Sequence, residues 1–314
     1  MKKIAVTGAT SMIGIALIEE CVKKNIEVSA IVRKKTKNIN RLPVSKNIHI
    51  LECDLEDLCN MQVNNKGYDV FYHLAWTNTI KNERCDPQKQ LENIKYTVDA
   101  VELAYRMGCT KFIGAGSQAE YGIHGEKSTK PSSILQPIDA YGISKMAAGK
   151  LGLLEAKKKK MSFIWVRIFS VYGKYENPNS MIQVTLQKLL KNENCDFSTG
   201  TQMWDYLYSS DAGRAFLKLG DSETKNNYYC LGSGNAAAMV GYVVTSWYGR
   251  VGWGTLKYWL FNPGRYTLAE AVFLNEQDML FQMNHWNPNF NQVNFPYAQS
   301  DAQIRGEMKK AVAT

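Results

Sequence analysis

Tyr141 and Lys145, in the stretch YGISK, place a weak acid and a cation four residues apart. On a helix that spacing returns both side chains to one face, with Cβ atoms about 5 to 6 Å apart. A phenol of ordinary pKa, about 10, is a poor base at neutral pH, but a neighbouring ammonium favours the phenolate by direct attraction. Each pKa unit gained in this way is worth about 1.36 kcal/mol. The pair could therefore exchange a proton with a substrate hydroxyl. The same spacing also arises where an aromatic stem packs beside a surface lysine, so the elements around it must decide.

The second chemical signal lies at the start of the chain. TGATSMIG, residues 7 to 14, puts Gly8 and Gly14 between an apolar run and a helical pattern. Glycine allows a tight turn and close approach to a pyrophosphate, and the free N–H groups of a helix N-terminus hold the negative charge. Strand, glycine turn and helix come in the order that dinucleotide binding needs.

Short apolar runs at 3–7, 26–32, 48–51, 69–75, 110–115 and 163–168 read as buried strands. Helical periodicity separates them: Ile13, Leu17 and Cys21 mark one face, and 87–107 and 140–158 read as longer helices. This alternation predicts an α/β fold, a doubly wound, Rossmann-like parallel sheet covered on both faces, with ligands at the carboxyl ends of its strands. Residues 1–173 are expected to form the dinucleotide-binding domain. Residues 174–314 are expected to form mainly a smaller C-terminal substrate lobe, with 225–232 returning as a strand to the main sheet. Residues 236–314 differ in texture, holding four of the seven tryptophans and five asparagines within 284–294.

Beyond TGATSMIG and YGISK, the chain carries ECDLED at 52–57, HLA at 73–75, GAGSQAEYG at 114–122, VRIFSVYG at 166–173 and WDYLYSSDAGRA at 204–215. In content and order these motifs resemble the extended short-chain dehydrogenase/reductases, in their nucleotide-sugar epimerase/dehydratase branch, over roughly residues 1–235. The resemblance implies a catalytic set of Ser117, Tyr141 and Lys145. Tyr141 would exchange the proton, Ser117 would bond the same substrate oxygen, and Lys145 would also hold the cofactor ribose. It implies cofactor contacts from Gly8, Ser11, Met12, Ile13 and Gly14 in the turn, from Asp54 and Leu55 at the adenine, and from Ala75 beside the nicotinamide half.

Departures from the family pattern are informative. Ser11 stands at the middle glycine of the turn, where its hydroxyl is a candidate donor to a phosphate oxygen. The second strand ends VRKK, without the carboxylate that NAD's ribose hydroxyls would take, so Arg33, with Lys34 or Lys35, points to the 2′-phosphate of NADP, with NAD as the alternative. Gln118 and Ala119 replace the acidic pair of the dehydratases, which argues against dehydration. Glu120 is expected to face the other way along an extended segment. What remains is a 4-epimerase of a nucleotide-linked sugar, with a reductase of a nucleotide 4-keto-sugar or a non-catalytic NADP-binding regulator as alternatives. Gln118, Ser170 and Trp204 are the substrate-side candidates; Trp204, at the family's diphosphate-binding arginine, reads more readily as a core side chain.

Composition excludes other classes. At 314 residues, 45% hydrophobic and 21% charged, the chain is globular. Its net charge of +9 suits an anionic small ligand; KKKK at 157–160 reads as a solvated connection, so no nucleic-acid partner is expected. Seven scattered cysteines without a CxxC pair suggest neither a disulfide framework nor a zinc site, and four dispersed histidines suggest no metal. The opening apolar run breaks at Thr7, too early for a signal peptide, and no stretch reaches the ~18 apolar residues of a membrane span. A cytoplasmic enzyme, a homodimer without membrane or nucleic-acid partners, is the expectation.

Overall fold

The computed structural model describes residues 1–63, 65–123, 129–195, 197, 203–233 and 237–238. These belong to one unit, Met1–Lys188 with Cys195–Gly241, except Leu189–Asn194, which group with a second unit. The texture change at 236–314 lies outside the described residues, Ala237 and Ala238 apart.

In chain order the first half runs β1 (Lys3–Thr7), α1 (Met12–Lys23), β2 (Glu27–Val32), β3 (Ile48–Glu52), β4 (Val70–His73), the short α2 (Lys81–Cys85), α3 (Pro87–Arg106) and β5 (Lys111–Ser117). There follow α4 (Ala140–Lys158), β6 (Ser162–Ile168), β7 (Ser170–Tyr172), α5 (Met181–Leu190), β8 (Met203–Trp204), β9 (Tyr206–Tyr208), α6 (Ser209–Asp221), β10 (Asn227–Leu231) and β11 (Ala237–Ala238). Seven strands form one sheet in the order β10-β6-β5-β4-β1-β2-β3. All its pairings are parallel, so the sheet is doubly wound and Rossmann-like.

Strand alternation feeds two cores. Ile4 and Val6 of β1 point to one face, where Leu17 and Ile18 of α1 and Phe216 of α6 cover them. Ala5 points to the other, where α3 and α4 cover Phe71, Phe112, Phe163 and Trp165. Those four rings form a ladder across β4, β5 and β6, with centroids 5.4 to 6.0 Å apart. Trp165 is fully buried because its neighbours are small: a Cβ at Gly114 would lie 2.4 Å from the indole and one at Gly149 2.8 Å. The glycines of β5 thus make room for a core aromatic, which fixes the height of α4 above the sheet.

Each parallel strand ends on the same edge. The Gly8 turn, Asp54, Ala75 and Ser117 follow β1, β3, β4 and β5 there, and β7 continues past the end of β6. Among the described residues no helix is long and apolar enough to cross a membrane, and no group of three or more metal-ligating side chains is present.

Candidate active site

The glycine turn is built by steric exclusion. Gly8 has φ +69°, and a Cβ there would lie 2.7 Å from the backbone nitrogen of Ala75; a Cβ at Gly14 would lie 2.3 Å from the Gly8 carbonyl oxygen. Backbone therefore packs on backbone, leaving an open cradle at the start of α1. Met12, Ile13 and Gly14 are the first three residues of that helix, whose N–H groups lack intrahelical partners. Ser11 is the N-cap, at φ −76° and ψ 163°, a conformation open to any residue, which is why a serine replaces glycine there without backbone strain. Its Oγ accepts from the Gly14 N–H at 3.1 Å. The hydroxyl read from the sequence as a phosphate donor is thus first a helix cap, and its own proton stays available. Ser11→Ala should cost about 1 kcal/mol of stability, seen as a lower melting temperature, and Ser11→Gly only a few tenths.

Asp54 follows β3 and its Oδ1 accepts the backbone N–H of Lys34 at 3.1 Å; Leu55, the next residue, is buried. The ammonium of Lys34 pairs with Asp57 at 2.6 Å. Of the basic residues after β2, Lys34 is therefore engaged, while Arg33 and Lys35 are exposed.

Ser117 ends β5 and caps a single 3-10 turn, Gln118–Glu120, its Oγ accepting from Ala119 N–H at 3.2 Å. The turn corrects the expectation of an extended segment. Because the chain curls, Glu120 folds back beneath Ser117, 1% exposed, and its Oε1 accepts the Ser117 N–H and the Trp165 indole N–H, both at 2.9 Å. Its Oε2 meets Arg167 Nε at 2.7 Å, and the guanidinium goes on to the Tyr121 hydroxyl and the Pro131 carbonyl. Glu120 is a buried carboxylate with both oxygens hydrogen-bonded.

Tyr141 is the second residue of α4, and two features set the start of that helix. Asp139 caps it, accepting the Gly142 N–H at 2.6 Å, and Gly142 passes so close to the 3-10 turn that a Cβ would lie 2.4 Å from the Ala119 carbonyl oxygen. Tyr141 is thereby brought beside Ser117, close enough for the serine hydroxyl to favour the ionised phenol. Lys145, one turn on and 3% exposed, donates to the Ala115 carbonyl at 2.6 Å. Its ammonium stands 3.7 Å over the Trp76 ring and 5.7 Å from the centre of the Tyr141 ring.

The electrostatics differ from the expectation of a phenolate maintained by Lys145. Burial pushes the Tyr141 phenol above its ordinary value, outweighing the bond from Ser117 and the attraction of Arg84, while Glu120 and Asp139 also push it up. Lys145 is itself pushed down to about 7, chiefly by burial, and its ammonium is aimed at a carbonyl and an indole face rather than at the phenol oxygen. In the protein alone burial thus opposes charge on both groups. His73, at the end of β4, is kept neutral, its pKa pushed down to about 3 by burial and by Lys145.

β7 and β9 pair with Ser170 opposite Tyr206, and the Trp204 indole N–H donates to Ser170 Oγ. Trp204 is 40% exposed, so it is not the core side chain expected, and its indole N–H is satisfied by Ser170. Gln118 is half-buried beside Ser117.

Two residues that sequence reasoning passed over complete the cluster. Trp76 directly follows the HLA motif; its ring meets Tyr141 edge-on at 6.0 Å and its Nε1 donates to Gln90 at 3.0 Å. Arg84, on α2, lies with its guanidinium carbon 4.1 Å over the Tyr141 ring. Trp76 was findable from its place at a strand end, whereas no spacing marks Arg84. Since Gly8 packs on Ala75 and the next residue touches both Tyr141 and Lys145, the cradle and the phenol adjoin.

Residues 4–232 match the model of the NAD dependent epimerase/dehydratase family. The chain is 24% identical over 247 residues to a putative UDP-glucose 4-epimerase of Methanocaldococcus jannaschii, covering 75% of this chain and 78% of that protein. It is 26% identical over 249 residues to the dTDP-4-dehydro-6-deoxyglucose reductase of Escherichia coli, covering 75% and 78%. Among solved structures, a UDP-N-acetylglucosamine 4-epimerase from Methanobrevibacter ruminantium superposes with a TM-score of 0.68 at 20% identity, over 76% of this chain and 78% of that one.

Proposed function

The chain belongs to the NAD dependent epimerase/dehydratase family, and from that premise we propose that it epimerises a nucleotide-linked sugar at C4. The observation that carries this reading is the meeting of Ser117, Tyr141 and Lys145 at the carboxyl edge of β5, joined through Ala75 and Trp76 to the glycine cradle. The cradle fits a dinucleotide: at Gly8 there is no space for a Cβ, and the N-terminus of α1 is open to a pyrophosphate. When bound, the dinucleotide supplies the hydride acceptor and donor.

In this reading Gly8, Met12 and Ile13 hold the pyrophosphate through backbone N–H groups, Gly14 lets the helix start approach it closely, and Ser11, whose Oγ takes the Gly14 N–H, adds its hydroxyl proton. Asp54, Leu55 and Arg33 hold the adenosine end, and Ala75 lines the nicotinamide half. Tyr141 takes the proton from the substrate hydroxyl and returns it after the keto-sugar has presented its other face. Ser117 holds the same oxygen, fixing the geometry that proton transfer requires. Lys145, once drawn towards a ribose hydroxyl, leaves the Ala115 carbonyl, and its charge then counts towards the phenolate. Gln118, Ser170 and Trp204 line the sugar-nucleotide side, the partly exposed indole stacking on a ring.

Dehydration is disfavoured because Gln118 and Ala119 transfer no protons and Glu120 is committed to Ser117, Trp165 and Arg167. A reductase of a nucleotide 4-keto-sugar is the second reading, favoured by the E. coli relative and by the exposed Arg33. Incubation with UDP-, dTDP-, GDP- and CDP-sugars, with and without reduced cofactor, separates the two: product without net cofactor use supports the epimerase, and stoichiometric oxidation the reductase. Arg33 further predicts tighter binding of NADP than of NAD, a difference that Arg33→Ala should erase; tighter NAD binding by the native protein would refute its assignment.

A further inference from the structure

We propose that Arg84 is a positioning residue for Tyr141, the cation that holds the phenol ring in place and favours its ionisation while Lys145 is turned away. Its guanidinium lies 4.1 Å over the ring, closer than the Lys145 ammonium at 5.7 Å, and within the range in which a cation is attracted to an aromatic face. Asp139 fixes it there: Arg84 Nε lies 3.4 Å from Asp139 Oδ2, while Oδ1 of the same carboxylate caps α4 at Gly142. One carboxylate therefore ties α2 to the helix turn that carries Tyr141. Three elements surround the phenol with charge: Glu120 from the 3-10 turn after β5, Asp139 and Lys145 from α4, and Arg84 from α2. Glu120 and Asp139 oppose ionisation, and Arg84 is the cation whose attraction lowers the phenol's proton affinity.

The inference deepens the reading of Tyr141 as the proton-transfer group and is tested by a measurement that needs no turnover. A fluorotyrosine placed at position 141 reports its own ionisation by fluorine NMR as pH is raised. With an uncharged side chain, Arg84→Met, the midpoint should rise by about half a pH unit to one unit, the size expected of a partly exposed cation on a ring face. Arg84→Lys, which keeps the charge, should restore part of the shift. An unchanged midpoint in Arg84→Met, or an equal rise in Arg84→Lys, overturns the proposal. The Arg84 side chain is 41% exposed, so both variants are expected to fold. Failure of every nucleotide sugar in the panel would sink the proposed reaction and leave this titration readable.

Discussion

Replacing Tyr141 by phenylalanine should lower turnover roughly 100- to 10,000-fold, the range a positioned general acid or base supplies. The loss is confined to one oxygen. The ring would keep its edge contact with Trp76 and its place under Arg84, and the Gly8 cradle, on a different strand end, would be untouched. Dinucleotide affinity, measured by calorimetry, should therefore stay close to native while kcat falls on whichever nucleotide sugar the panel identifies. Full activity in Tyr141→Phe would remove the phenol from the mechanism.

The largest expected loss of stability follows from Arg167→Met. Arg167 is 3% exposed and answers the equally buried Glu120 at 2.7 Å. Deleting one partner of such a pair leaves an uncompensated charge in a low-dielectric interior, which costs about 3 to 5 kcal/mol. The Tyr121 hydroxyl and the Pro131 carbonyl lose a donor as well. Thermal unfolding should show a large drop in Tm. Arg167→Met combined with Glu120→Gln, which removes the stranded charge, should recover a substantial part of it. Equal Tm values for the native and Arg167→Met proteins would show that the pair contributes nothing.

The two experiments probe different layers of one arrangement. Tyr141 and Ser117 adjoin at the carboxyl edge of β5, and behind them Glu120 grips the Ser117 backbone while Arg167 grips Glu120. A change in the lower layer acts on chemistry through the position of Ser117 and through the charge of Glu120 on the phenol, whereas a change in the upper layer removes the proton.

Much of this was legible in the chain. Apolar runs alternating with helical periodicity located the first six strands of the sheet; for five of them a strand buried on both faces can hardly be written otherwise, whereas β3 lies at the sheet edge and is not the buried strand expected. Gly8 was legible because only a residue without Cβ fits against Ala75 at φ +69°. Ser117, Tyr141 and Lys145 were legible as a set, since residues at one strand end and on one helix face must meet when the sheet closes. Arg84 was not, for nothing local records that a five-residue helix will lie over a tyrosine 57 positions away.

What the sequence determined by itself was the kind of chemistry: the residue types, their order along the strands, and the i, i+4 spacing that puts phenol and ammonium on one face. What only the tertiary structure decided was the state of those groups. Whether Glu120 pairs with Arg167, whether Trp204 is buried or partly exposed, and whether the phenol is ionised depend on desolvation and on charges brought from distant segments. Such energies vary with distance in space, which spacing along the chain does not encode.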